Sequence, residues 1–75
     1  MTSLDVVFRY ATPPTEGALR ALDSVREVYG IRRIQFNPQQ HSLRVEFDAS
    51  RLNENTVAGL LRRAGIDVQE KLALA

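Results

Sequence analysis

Residues 30–48 read GIRRIQFNPQQHSLRVEFD, and this stretch decides the fold. In its second half Leu43, Val45 and Phe47 alternate with Ser42, Arg44, Glu46 and Asp48. Alternate side chains of a strand point to opposite faces, so this is a strand with one apolar and one polar side. In its first half Ile31, Ile34 and Phe36 face one way, with Arg33 and Gln35 facing the other. Between the halves, Asn37-Pro38-Gln39-Gln40 is turn chemistry. The two strands are therefore expected to form an antiparallel hairpin.

Working towards the N-terminus, Gly30 is expected to stop a helix in left-handed geometry. From Thr15 to Tyr29 the apolar residues Ala18, Ala21, Leu22, Val25, Val28 and Tyr29 form one helical stripe. Glu16 falls in the first turn, where the helix dipole favours an acid. Ahead of it, Leu4, Val6 and Phe8 alternate with Asp5, Val7 and Arg9, which predicts a strand over Leu4–Tyr10. Thr12-Pro13-Pro14-Thr15 connects the two, with Pro14 suited to the start of a helix. Towards the C-terminus, Asn53 is a helix cap, Val57, Leu60, Leu61 and Ala64 make a second stripe, and Gly65 ends it. Ile66, Val68 and Leu72 are expected to start a last strand that frays at Leu74 and Ala75. The order is β-α-β-β-α-β. It predicts an α+β fold of ferredoxin-like type, a four-stranded antiparallel sheet with two helices on one face and the other face wet.

Composition narrows the function. Seventy-five residues make one domain, residues 1–75, with no room for a second core. A net charge of +1 supplies no global field to steer the chain to nucleic acid or an anionic membrane. Nine of the ten basic residues are arginine, a bias that base composition of the source genome explains as readily as bidentate binding. With no cysteine, disulfides and thiolate metal sites are both excluded. Asp5 and Arg9 interrupt the early apolar run, which reads as neither a signal peptide nor a membrane span, and a cytoplasmic location is expected.

The motifs Gly30-Ile31-x-x-Ile34-x-Phe36-Asn37, Leu43-x-Val45-x-Phe47-Asp48 and Arg63-Ala64-Gly65-Ile66-Asp67-Val68 occur in this order over nearly the whole chain. Together they resemble the heavy-metal-associated domain family. In that family the loop after the first strand carries Met-Thr-Cys-x-x-Cys, whose thiolates hold a soft ion such as Cu(I) or Zn(II). The family's metal-site loop corresponds here to Thr12, Pro13, Pro14, Thr15 and Gly17, with Pro14 and Gly17 where the cysteines would stand. Neither has a side-chain donor, and soft ions need soft ligands. The resemblance thus implies the scaffold without metal, cofactor or catalytic residue. It points to a protein-interaction or accessory module that associates with a metal transporter, a related domain or itself through an exposed sheet edge. The alternative is a small-ligand-binding or regulatory ferredoxin-like module working as a dimer.

Other candidates are weaker. His41, the only histidine, lies in the hairpin turn and reads as a solvent-exposed side chain, and the Met1 thioether sits at a chain end. RNA-recognition modules of the same topology stack bases on aromatics of the two central strands. The outward residues of those strands here are Asp5, Val7, Arg9, Ser42, Arg44 and Glu46, with no aromatic among them, so nucleic acid is not the expected partner. Arg9, Arg33, Arg44 and Lys71 are expected to pair with Asp5, Glu46 and Glu70. Arg62-Arg63 suits a helix C-terminus. No spacing of Ser24, Ser42 or Ser50 with His41 makes a nucleophile and its base, and no glycine-rich phosphate loop is present, so an enzyme is not expected.

Overall fold

A computed structural model describes residues 2–74. The alternation of the first strand extends over β1, Ser3–Tyr10. Its inward residues Val6, Phe8 and Tyr10 are buried. Thr15 caps α1, Glu16–Arg26, which buries Ala18, Leu22 and Val25. The hairpin follows: β2, Ile31–Asn37, a short 3-10 turn over Pro38–Gln40, and β3, Ser42–Asp48. Asn53 caps α2, Glu54–Arg63, and β4, Val68–Leu74, closes the chain.

The four strands form one antiparallel sheet in the order β2-β3-β1-β4. Both helices cover the same face. Leu22 and Val25 of α1 and Val57, Ala58 and Leu61 of α2 belong to one buried cluster with Val6, Phe8, Leu43, Val45 and Phe47. The shortest dimension, 16 Å, fits one sheet layer and one helix layer and no third. The expected ferredoxin-like α+β architecture is therefore the observed one.

Three details depart from the pattern read in the sequence. Helix α1 stops at Arg26, with Glu27 as its cap, and Tyr29 is not on its buried stripe but 67% exposed. The chain leaves the helix early because Gly30 must enter the sheet, where its carbonyl accepts from the Asp48 N–H at 2.7 Å. Gly30 has φ +105°, and a Cβ there would lie 2.9 Å from Leu52 Cδ1, so only glycine fits this corner. Second, Ile31 and Ile34 share a face although three residues apart, because a bulge between Ile31 and Arg33 absorbs Arg32. Third, the last strand begins at Val68, after a buried Ile66. Leu72 is 50% exposed and does not face inward. Two register shifts against β1, at Val7/Phe8 and Arg9/Tyr10, break the alternation of β4. Lys71 thereby lies opposite Phe8 on the helix side and reaches Glu54 of α2, 2.8 Å away. Ala75, expected to fray, lies outside the described residues, as does Met1.

Candidate functional site

The loop expected to matter lies at one end of the sheet, between β1 and α1. Its threonines are occupied locally. Thr15 is extended, and its hydroxyl accepts from the Ala18 N–H at 3.1 Å, which satisfies a free donor of the first helical turn. Thr12 Oγ1 donates to Asp67 Oδ2 at 3.4 Å, while the Ala11 N–H donates to the Asp67 carbonyl at 3.1 Å. Pro13 and Gly17 are exposed, and Pro14 is half-buried just ahead of the cap. The loop is a strand-to-helix connection tied to the residues before β4.

His41 ends the hairpin turn in left-handed backbone geometry, φ 49° and ψ 46°. Its ring stacks on Tyr10 at 5.8 Å between centroids and 5° between planes, and Tyr10 meets Phe36 edge-on at 6.0 Å. The imidazole is exposed on one side and packed on the other, a turn-closing role. Among the described residues no three His, Asp or Glu side chains gather where a metal ion could sit.

At the opposite end, Asp48 closes the turn between β3 and α2. Its Oδ1 accepts from Ser50 Oγ at 2.6 Å and from the Ser50 N–H at 3.0 Å. The Arg51 Nε lies 3.5 Å from Oδ2, and its guanidinium carbon sits 4.1 Å from the centre of the Tyr29 ring. The Ser50 hydroxyl bond first, then the Ser50 N–H and the positive charges of Arg32 and Arg51, hold the Asp48 carboxyl below its ordinary value against the opposing effect of burial. The two bonds between Ser50 and Asp48 staple the turn after β3. The cleft beside it measures about 430 Å³, and Tyr29, Asp48, Ser50 and Arg51 line part of it.

The open face of the sheet differs in kind. β1 and β3 are its central strands, as expected from the topology. Register places Val7 opposite Arg44, Asp5 opposite Glu46, and Arg33 of β2 opposite Glu46 on its other side. Asp5, Arg33, Gln35, Arg44 and Glu46 line a recess of about 80 Å³ near the middle of this face.

The expected pairing of these charges is only partly observed. Arg9 Nε does bind Glu70 Oε1 at 2.8 Å, but Lys71 turns to Glu54 instead. Among the described residues, no ion pair or hydrogen bond engages the side chain of Asp5, Glu46, Arg33 or Arg44. The remaining ion pairs, Arg20–Glu16, Arg26–Asp23 and Arg51–Asp48, all lie off this face or at its end. Arg62, expected to suit the helix C-terminus, stands in the last turn of α2 with its guanidinium 3.4 Å from the Val68 carbonyl and ties α2 to β4. The central quartet escapes sequence reasoning because pairing depends on register. The one available signal was the three-residue spacing of Ile31 and Ile34, which betrays the bulge preceding Arg33.

Compared with models of known protein families, the chain matches none, and no curated protein sequence matches it.

Proposed function

We propose that this chain is a non-enzymatic interaction module, a heavy-metal-associated type of scaffold without the metal-binding thiolates, and that the open face of its sheet is the contact surface. The observation that carries the reading is the quartet Asp5, Glu46, Arg33 and Arg44. Its charges occupy the middle of the open face and, among the described residues, no ion pair or hydrogen bond engages them, whereas five other ion pairs are satisfied internally. Unspent pairing capacity of both signs favours a partner whose potential is complementary.

The loop after β1 supports the second half of the reading. Pro14 and Gly17 carry no donor atom, and the Thr15 hydroxyl is engaged in capping α1. Between the two modes of association open to a sheet, face and edge, the face is favoured. Bulges interrupt both edge strands, β2 and β4, and bulges blunt an edge against strand addition. The small-ligand alternative would draw on the cleft near Asp48, but Arg51 there already satisfies Asp48 and Tyr29. A cytoplasmic setting is part of the proposal. No helix among the described residues is long and apolar enough to cross a membrane.

Two measurements test this. Titration with Cu(I) or Zn(II) should give no one-to-one complex tighter than micromolar, and such a complex surviving His41→Ala would overturn the metal-free reading. Immobilised protein should retain a partner from an extract of its own source, and Arg33→Glu with Arg44→Glu should abolish retention. Retention that ignores both reversals would show that another surface does the work.

A further inference from the structure

We infer that the partner of the open sheet face is a second copy of this chain, related by a two-fold axis that crosses β3 at Val45 and sets Arg44 of each copy against Glu46 of the other. This rests on the reading of the face as a contact surface, and it follows from where the charges stand on β3.

Three observations carry it. First, Arg44 and Glu46 flank Val45 on the outward side of a central strand, one residue away in each direction. Rotation by 180° about an axis lying between two stacked sheets, perpendicular to β3 at Val45, exchanges the two positions. Each arginine then meets a glutamate, twice over, which is the reciprocity an isologous interface requires. The alternative axis, parallel to the strands and between β3 and β1, would stack Glu46 on Asp5 of the other copy and is repulsive.

Second, Asp5 and Glu46 are directly opposite each other across the β1–β3 pair. Like charges at such positions are destabilising in an isolated chain. In the proposed arrangement Arg44 of the second copy lies over Glu46 and diagonal to Asp5, above the recess that these acids help to line. The unfavourable pair becomes one carboxylate cluster around a guanidinium. Third, the quartet sums to zero charge, two arginines against two acids, so the face does not repel its own copy.

The expected affinity is low. Four strands roughly 4.8 Å apart and seven residues of about 3.3 Å give a face of roughly 450 Å² per copy. Doubled, to roughly 900 Å², that lies below the range of stable specific interfaces and in that of weak, transient encounters. Val7 and Ala73 are the apolar side chains at its paired outward positions, so charge supplies the specificity and salt should weaken it.

The test is sedimentation of the full chain from micromolar to millimolar concentration. Mass should rise from 8.4 kDa towards twice that value at low salt, and association should weaken by roughly tenfold between about 50 and 500 mM salt. Arg44→Glu and Glu46→Arg should each abolish self-association, and an equimolar mixture of the two variants should restore it, because every introduced charge then meets an opposite one across the axis. Arg44→Gln and Glu46→Gln, which keep shape and remove charge, should each weaken association at least about fivefold. Circular dichroism checks that each variant is folded. A wild-type chain that stays monomeric at millimolar concentration, or folded reversals that fail to associate when mixed, would overturn the second-copy inference. If that chain still retained a different protein through Arg44, the contact-surface reading would survive alone; loss of both would end it as well.

Discussion

Asp48 shows how one side chain can hold a corner of a small domain. Its carboxylate collects two bonds from Ser50 and the nearby charge of Arg51, and its backbone N–H is spent on Gly30. Because these partners favour the ionised form, the folded-state pKa lies below its ordinary 3.8. A group with a depressed folded pKa contributes its full stabilisation above the unfolded value and loses it as pH falls through the folded one. Asp48→Asn is therefore expected to lower the melting temperature at neutral pH, with the gap to wild type narrowing below about pH 4. Thermal melts from acid to neutral pH check this, and a gap independent of pH would show that the charge contributes nothing. The same residue illustrates the limit of reading a strand as an alternating pattern. Asp48 is outward by parity, yet only 3% exposed, because the turn after it folds back over it.

At the scale of elements, helix α1 depends on its cap more than on the apparent importance of the loop before it. Thr15→Ala should destabilise the fold by about 1 kcal/mol, and Thr15→Ser should recover most of that loss. Urea unfolding of the two variants decides the matter, since a loop conserving some ligand-binding task would not distinguish them by stability alone. Strand β4 makes a second point about elements. An uninterrupted alternation from Val68 would turn Glu70 and Leu72 inward together. The two register shifts against β1 put Glu70 across from Arg9 on the open face and Lys71 within reach of α2. The bulges therefore give both charged residues oppositely charged partners, at the expense of exposing Leu72. Ion pairs this exposed contribute only about 0–1 kcal/mol each, so their effect is on register and direction more than on stability.

The whole molecule is a two-layer sandwich with one face buried and one face open. The buried apolar side chains of the sheet serve the helix-covered side, and the open side carries mainly charges, with Val7 and Ala73 among them. If that side is where a second copy docks, folding and association are linked, and the more concentrated the protein, the more the native state is favoured. Melting temperature at low salt should accordingly rise with protein concentration, and the rise should vanish in Arg44→Glu. Calorimetry over a hundredfold dilution series is sufficient to see it, and an unchanged midpoint would count against association in the native state.

The architecture was legible in the amino-acid sequence because it follows from local rules. A period of two in residues 4–10 and 42–48, stripes of period near 3.6 after Thr15 and Asn53, and glycines at 30 and 65 specify six elements in order. That order leaves few ways to bury one face of each. The helix cap Asn53 was legible for the same reason, being a contact over three residues, whereas Thr15 takes the cap where Pro14 was expected to start the helix. What only the tertiary structure decided are the relations between residues far apart in the chain. The bulges that turn Leu72 and Lys71 away from their expected places, and the lack, among the described residues, of an ion pair or hydrogen bond to the side chains of Asp5, Glu46, Arg33 and Arg44, depend on register between strands. Register is set by the packing of the entire core, and a shift of one residue exchanges the faces of a strand.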